Sequence, residues 1–185
     1  MQRSNSFILN RMVGGLCWVG LVAAGGAAIA GGLLLTTTSS ANAQAAYGSY
    51  VGVGPAFGLT SGGIGEDSQT TANIAVRYKL LRAPLSVRTQ VLVGSEGTAI
   101  VPTISYDVPL SWQADVYVGA GAAIVPGSGL TPVGNKTSFA IQPGIDYALP
   151  NSSFVLFGNA IVAFDAYRSG GNTAVSVQGG LGLRF

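Results

Sequence analysis

One feature constrains this chain more than any other. From about residue 48 to residue 185, apolar and polar residues alternate with a period of two, and no window holds a comparable period of 3.6. Over Thr71 to Lys79, Ala72, Ile74, Val76 and Tyr78 share one face, while Thr71, Asn73, Ala75, Arg77 and Lys79 share the other. Leu85, Val87, Val91 and Val93 oppose Ser86, Arg88 and Gln90. Trp112, Ala114, Val116 and Val118 oppose Gln113, Asp115 and Tyr117, and Leu181, Leu183 and Phe185 oppose Gly180, Gly182 and Arg184. Successive side chains of a strand point to opposite faces, so the pattern predicts sheet with one greasy and one polar surface. Eight strands are expected, at roughly 48–59, 71–80, 85–94, 98–108, 112–124, 136–148, 153–164 and 173–185.

The connections alternate in length. Residues 81–84, 108–111 and 149–152 are short and each carries a proline, whereas 60–70, 125–135 and 165–172 are longer and rich in Gly and Ser. Loop 94–97 is the short exception among the long ones. Turns short at one end and long at the other fit a membrane barrel, whose strands need about 9–11 residues to cross when tilted. A soluble barrel with its apolar face turned inward would alternate in the same way, so composition has to decide. Charged residues make up 9% of the chain, against roughly 25% in ordinary soluble domains. The polar face, mostly Gly, Ala, Ser and Gln, would make a poor exterior in water. Aromatics also collect at the short-turn end: Tyr47, Tyr78, Tyr106, Trp112, Tyr147, Phe154 and Phe185. That is where a membrane interface would hold half-wet rings.

The first 43 residues read as an address. Arg3 and Arg11 precede an apolar run from Met12 to Leu35, followed by Thr36 to Ser40 and Ala41-Asn42-Ala43. This order is that of a secretory signal peptide, cut after Ala43 with Ala45 as second choice. Glycines spread through the run weaken the reading as a helical anchor. Cys17 lies in this segment, and the remainder has no cysteine. Residues 44–185 carry Arg77, Lys79, Arg82, Arg88, Lys136, Arg168 and Arg184 against Glu66, Asp67, Glu96, Asp107, Asp115, Asp146 and Asp165, so the formal +2 comes from Arg3 and Arg11.

The signal segment, the eight alternating strands and the final Leu181-Gly182-Leu183-Arg184-Phe185 resemble the small outer-membrane β-barrel family that includes OmpX and the transmembrane domain of OmpA. The resemblance covers 44–185. It implies an all-β fold, an eight-stranded antiparallel up-and-down transmembrane β-barrel preceded by a signal peptide. It also implies outer-membrane lipid and lipopolysaccharide as surroundings and recognition of Phe185 by the barrel-assembly machinery. A periplasmic peptidoglycan-binding domain is not expected after Phe185. Pro55, Pro102 and Pro143 fall inside expected strands. In a closed barrel each must remove a ladder donor or mark a bulge.

With both termini placed in the periplasm, Arg77, Arg88, Asp115, Asp146 and Arg184 point inward at the periplasmic end. An Arg/Asp network plugging that end is expected, because charges in a narrow bore need partners. Asn73, Gln90, Thr103, Gln142, Asn159 and Gln178 form a neutral belt above it. Gly119, Gly121, Ala123, Ala140 and Ala163 lie further out, where small residues would leave a shallow cavity open to the outside. The alternatives are a small solute or ion pore through the same bore and a soluble periplasmic ligand-binding barrel.

Chemistry is sparse. The chain has no histidine, the commonest general base and metal ligand, so no catalytic, metal or cofactor site is expected. Asp115 and Asp146 read as ion-pair partners of the nearby arginines. The absence of clustered Lys and Arg argues against nucleic acid. Gly129 to Thr137 resembles a phosphate loop with one residue too many and no helix after it. Glu66 and Asp67 read as solvated loop acids. The expected role is structural or surface interaction through loops 60–70, 125–135 and 165–172, since the wall is committed to lipid.

Overall fold

The computed structural model describes residues 48–61 and 69–185. The expected signal peptide, its cleavage sites, Tyr47, Glu66 and Asp67 lie outside the described residues. Among those described, eight strands close into one antiparallel barrel in sequence order: β1 Tyr50–Gly58, β2 Thr70–Lys79, β3 Leu85–Val93, β4 Thr98–Pro109, β5 Ala114–Ala123, β6 Ser138–Ala148, β7 Phe154–Phe164 and β8 Ala174–Arg184. Closure pairs β1 with β8, Tyr50 opposite Arg184. A closed ladder leaves no strand edge, the condition for crossing lipid with strands.

The period of two sets the faces. Along β2, Thr71, Asn73, Ala75 and Arg77 are buried and the residues between them are exposed. Outward rows include Val53, Ile104, Val118, Ile145 and Leu181, which are exposed apolar side chains. Inward rows carry the Arg, Asp, Asn and Gln side chains. The valine and isoleucine rows therefore look out and the arginines look in, as a membrane barrel requires.

Expected strand ends hold within a few residues, with one instructive difference. Trp112 leaves the wall for the β4–β5 turn. Ser111 Oγ accepts from the backbone N–H groups of Gln113 and Ala114 at 3.2 and 3.1 Å, and Leu110 N donates to Ala114 O. A hydroxyl offering the backbone a local acceptor competes with the ladder. It delays the start of β5 and leaves Trp112 at the turn tip, 84% exposed.

The three prolines keep register. On the β1–β8 seam, pairing runs to Val53↔Leu181 and resumes at Ala56↔Gln178, skipping Gly54 and Pro55 against Gly179 and Gly180. On β4–β5 it stops at Thr103↔Gly121 and returns as Ile100↔Ile124, skipping Pro102. On β6–β7 it skips from Ile141↔Val162 to Gly144↔Asn159, across Pro143. Each gap removes equal numbers of residues from both strands, so none is a bulge. Each proline keeps its ladder on its other side, with Ala72, Thr89 and Val118 respectively. Glycine relieves two of the seams: a Cβ on Gly54 would strike the Gly179 carbonyl oxygen, and one on Gly121 would strike that of Pro102.

Candidate functional site: the barrel interior

At the short-turn end the bore is crossed by charge. Arg77 is the hub. Its Nη2 donates to Asp107 Oδ2 at 2.8 Å and Asp115 Oδ2 at 3.0 Å, Nη1 to Asp146 Oδ2 at 2.9 Å, and Nε to Ser86 Oγ at 3.2 Å. Arg88 Nη2 donates to Asp146 Oδ2 at 2.8 Å and Asp107 Oδ1 at 3.4 Å, and Nε to Ser105 Oγ at 2.9 Å. The same guanidinium lies 3.3 Å from the centroid of the Tyr117 ring, a cation–π contact. Tyr50 donates from its hydroxyl to Asp146 Oδ1 at 3.0 Å, and Ser86 and Ser105 donate to Asp107. Lys79 Nζ stands 3.4 Å from Asp107 and 3.5 Å from Asp115. Three cations thus face three carboxylates, contributed by strands β2 to β6.

Register explains why the cluster exists only as a whole. Arg77 sits directly opposite Arg88 on the neighbouring strand, and Asp115 directly opposite Asp146. Like charges side by side on a sheet are unfavourable. The two arginines on one wall and the two aspartates on the other are satisfied by reaching across the bore. With side-chain exposures of 0 to 3%, each would be costly alone.

The structure thus brings together Arg77, Arg88, Asp115 and Asp146. Arg184 is placed differently: partly buried at the rim, it donates to the backbone carbonyl of Ser152 on the β6–β7 turn. Sequence reasoning passed over Asp107, Lys79, Ser86, Ser105, Tyr50 and Tyr117. The signal for Asp107 was available, because it shares inward parity with Thr103 and Ser105.

The middle layer is the expected amide belt. Asn73, Gln90, Thr103, Gln142, Asn159 and Gln178 are all buried. Thr103 donates to Gln142 Oε1 across the bore at 2.6 Å, and Gln178 Nε2 to Ser176 Oγ at 2.6 Å. The belt is less completely paired than the charges below it. Both amide atoms of Asn73 and Oε1 of Gln90 are buried without a hydrogen-bond partner among the described residues.

The outer layer overturns the expected open cavity. Ala56, Leu92, Ala99, Val101, Ala123, Ala140, Ile161, Ala163 and Ala174 form a buried apolar cluster with Val125, Val133, Ala166 and Tyr167, and Leu130 packs against it. The last five come from the segments 125–133 and 166–167, where these side chains turn inward. The reason is their own apolar content, which has an apolar bore to bury in. Hydrogen bonds knit the loops together. Tyr167 donates to Thr60 O at 3.1 Å, Val175 N to Thr60 Oγ1 at 2.9 Å, and Arg168 N to Asn135 Oδ1 at 2.9 Å. The stretch from Gly129 to Thr137 serves this closure: Thr131 and Gly134 bond each other's backbones at 3.0 Å in both directions, a tight turn around Pro132 and Val133.

On the outside, Tyr78, Tyr106, Trp112, Tyr147, Phe154 and Phe185 are exposed at the short-turn end. A second ring, unforeseen, stands at the long-loop end: Phe57, Phe139 and Phe164, the last two stacked with centroids 6.1 Å apart. These share outward parity with the other apolar residues of their strands.

A closed eight-stranded antiparallel barrel with an apolar wall, aromatic rims and a polar interior has the fold of the small outer-membrane β-barrels. Solved structures agree. Over 75% of this chain and 98% of theirs, it is similar to Neisserial surface protein A (NspA), with 16% identity and a TM-score of 0.52. Ail, the attachment invasion locus protein of Yersinia pestis, is similar over 74% of this chain and 97% of its own, with 15% identity and a TM-score of 0.50. A de novo designed transmembrane β-barrel is similar over 75% and 96%, with 12% identity and a TM-score of 0.50. At these identities the likeness is one of fold. No protein-family model and no curated protein matches the sequence.

Proposed function

We propose that this chain is a non-conducting integral protein of the outer membrane, with a structural or surface-interaction role. The observation that carries the reading is an interior filled from end to end, by ion pairs, then amides, then apolar side chains. An eight-stranded barrel is just wide enough to be filled in this way. With the bore filled and the wall facing lipid, the long-loop surface is what remains for a partner. Residues 126–128 and 168–173 are exposed there, whereas Thr131 to Asn135, Ala166 and Tyr167 are buried. That NspA is named a surface protein and Ail an attachment and invasion protein is in keeping with this reading. Phe185, exposed at the end of the last strand, is assigned to recognition by the barrel-assembly machinery. No catalytic role is assigned to Asp115 or Asp146, both of which are engaged by Arg77.

The test is planar-bilayer recording on refolded protein. The expected trace is free of steady openings, and a sustained conductance of porin size would overturn the reading. Membrane fractionation with unheated and boiled detergent gels checks the location. The folded barrel should sediment with outer membranes and shift in mobility only after heating.

A further inference from the structure

The outer mouth of the barrel is built around a piece of the chain's own loop. Six inward wall positions there are alanine: Ala56, Ala99, Ala123, Ala140, Ala163 and Ala174, each fully buried. Alanine leaves the bore wide, and the width is taken up from above by the loop tip, where Pro132 and Val133 are fully buried. The wall is shaped for the tip. A Cβ added to Gly58 would lie 3.4 Å from Pro132 Cα, and one on Gly97 would lie 3.0 Å from Thr131 Cγ2.

The tip's attachment is of a particular kind. The backbone hydrogen bonds of Thr131 and Gly134 close on each other, and Thr131 Oγ1 also donates to Gly134 O at 2.6 Å. Pro132 and Val133 engage the described wall through apolar surface. Glycines flank the tip, Gly127 and Gly129 before it and Gly134 after it, the last at φ 98°. The loop's firm anchorage begins one residue later: Asn135 N donates to Ala166 O at 3.0 Å and Arg168 Nε to Asn135 O at 3.0 Å. A self-contained turn held by burial can leave its seat with its own hydrogen bonds intact; on leaving, it gives up the close approach of Gly129 to the Glu96 carbonyl and of Gly134 to that of Ala166.

We infer that the mouth is an apolar binding socket that the Pro132–Val133 tip occupies in the absence of a ligand. The guest that replaces it is a small hydrocarbon group of similar bulk: a single ring, a short branched chain, or the end of an alkyl tail. The amide belt and ion pairs beneath stop it from passing further. The surface reading proposed above stands or falls on other grounds, since a socket that opens and closes does not conduct.

Toluene is a suitable probe. In a Cys17→Ser background, Val133→Cys places a single thiol on the tip of the folded barrel. Its rate of labelling by a membrane-impermeant maleimide should be slow, and should rise at least tenfold with toluene near saturation. Ser128→Cys, on the exposed part of the same loop, should label fast with or without toluene. Ala75→Cys, buried on the inner face between Asn73 of the amide belt and Arg77 of the ion pairs, should stay protected, which separates tip displacement from loosening of the barrel. An unchanged Val133→Cys rate, or one already equal to that of Ser128→Cys, overturns the inference. Methyl NMR of the unaltered protein gives a second readout. Toluene should shift the Ala56 and Ile161 resonances more than those of outward Val118 and Leu181, and equal shifts at all four sites would overturn the inference as well.

Discussion

The two ends of the bore close by opposite physics. At the short-turn end, Arg77, Arg88 and Lys79 meet Asp107, Asp115 and Asp146 in ion pairs of 2.8 to 3.5 Å. At the long-loop end, Leu92, Val101 and Ile161 meet Val133 and Tyr167 with no exposed surface beyond 2%. The charged closure is all-or-none, because its like charges sit side by side and are relieved only by opposite charges from other strands. The apolar closure is additive, since each side chain contributes its own buried area. One end is specified by geometry and the other by volume. Removing groups from each should separate the two kinds of stability.

The largest expected effect is at the hub. Arg77→Ala leaves three buried carboxylates with Arg88 and Lys79 as their cations, and breaking a buried pair from one side costs about 3–5 kcal/mol. Urea unfolding of the vesicle-folded barrel should show this as a lowered midpoint. A loss under about 1 kcal/mol would mean that the carboxylates are rescued by protonation or solvent. At the other end Ile161→Ala removes a fully buried side chain from the apolar layer. The expected loss is about 2–4 kcal/mol, in the range for large-to-small core changes. A smaller loss would show the loop tip settling into the space.

Coupling sharpens the contrast. Arg88 and Asp146 are joined at 2.8 Å. A double-mutant cycle of Arg88→Met and Asp146→Leu should give an interaction energy of about 1–3 kcal/mol, the double variant being less harmed than the sum of the singles. The cycle Leu92→Ala with Ile161→Ala should be closer to additive. Equal coupling at both ends would erase the distinction.

Periodicity made the wall legible because burial in a barrel follows strand parity and little else. Arg77, Arg88, Asp115 and Asp146 could be placed on the inner face from that alone. What parity does not carry is distance across the bore. Asp107 was passed over although it shares that parity, and Arg184, enrolled by parity, donates to Ser152 at the rim. Closure of the mouth was illegible for a different reason. The sequence from Pro126 to Gly134 has the glycine and proline content of an outward loop, and only the alanine-lined bore beneath shows why Pro132 and Val133 turn inward. The prolines stood out as an anomaly, yet in-register gaps and bulges look alike in one dimension.

The smallest expected effect lies in one of those gaps, in the wall between the two closures. Pro102→Ala supplies the N–H that the β4–β5 seam lacks between Thr103↔Gly121 and Ile100↔Ile124. A net gain of about 0.5–1.5 kcal/mol from the new hydrogen bond is opposed by about 0.4–1 kcal/mol from the freer unfolded chain. The stability change should therefore stay within about 1 kcal/mol of zero. Amide exchange is the better readout: the new amide at position 102 and that of Ala122 should both become protected, joining the seam into one ladder. Gly121 tests the cause. Its backbone lies so near the Pro102 carbonyl that a Cβ would collide. If the proline forces that approach, Gly121→Ala should be tolerated better in the Pro102→Ala background than in the unaltered chain. If the two substitutions simply add, the close approach belongs to the curvature of the barrel and not to the proline.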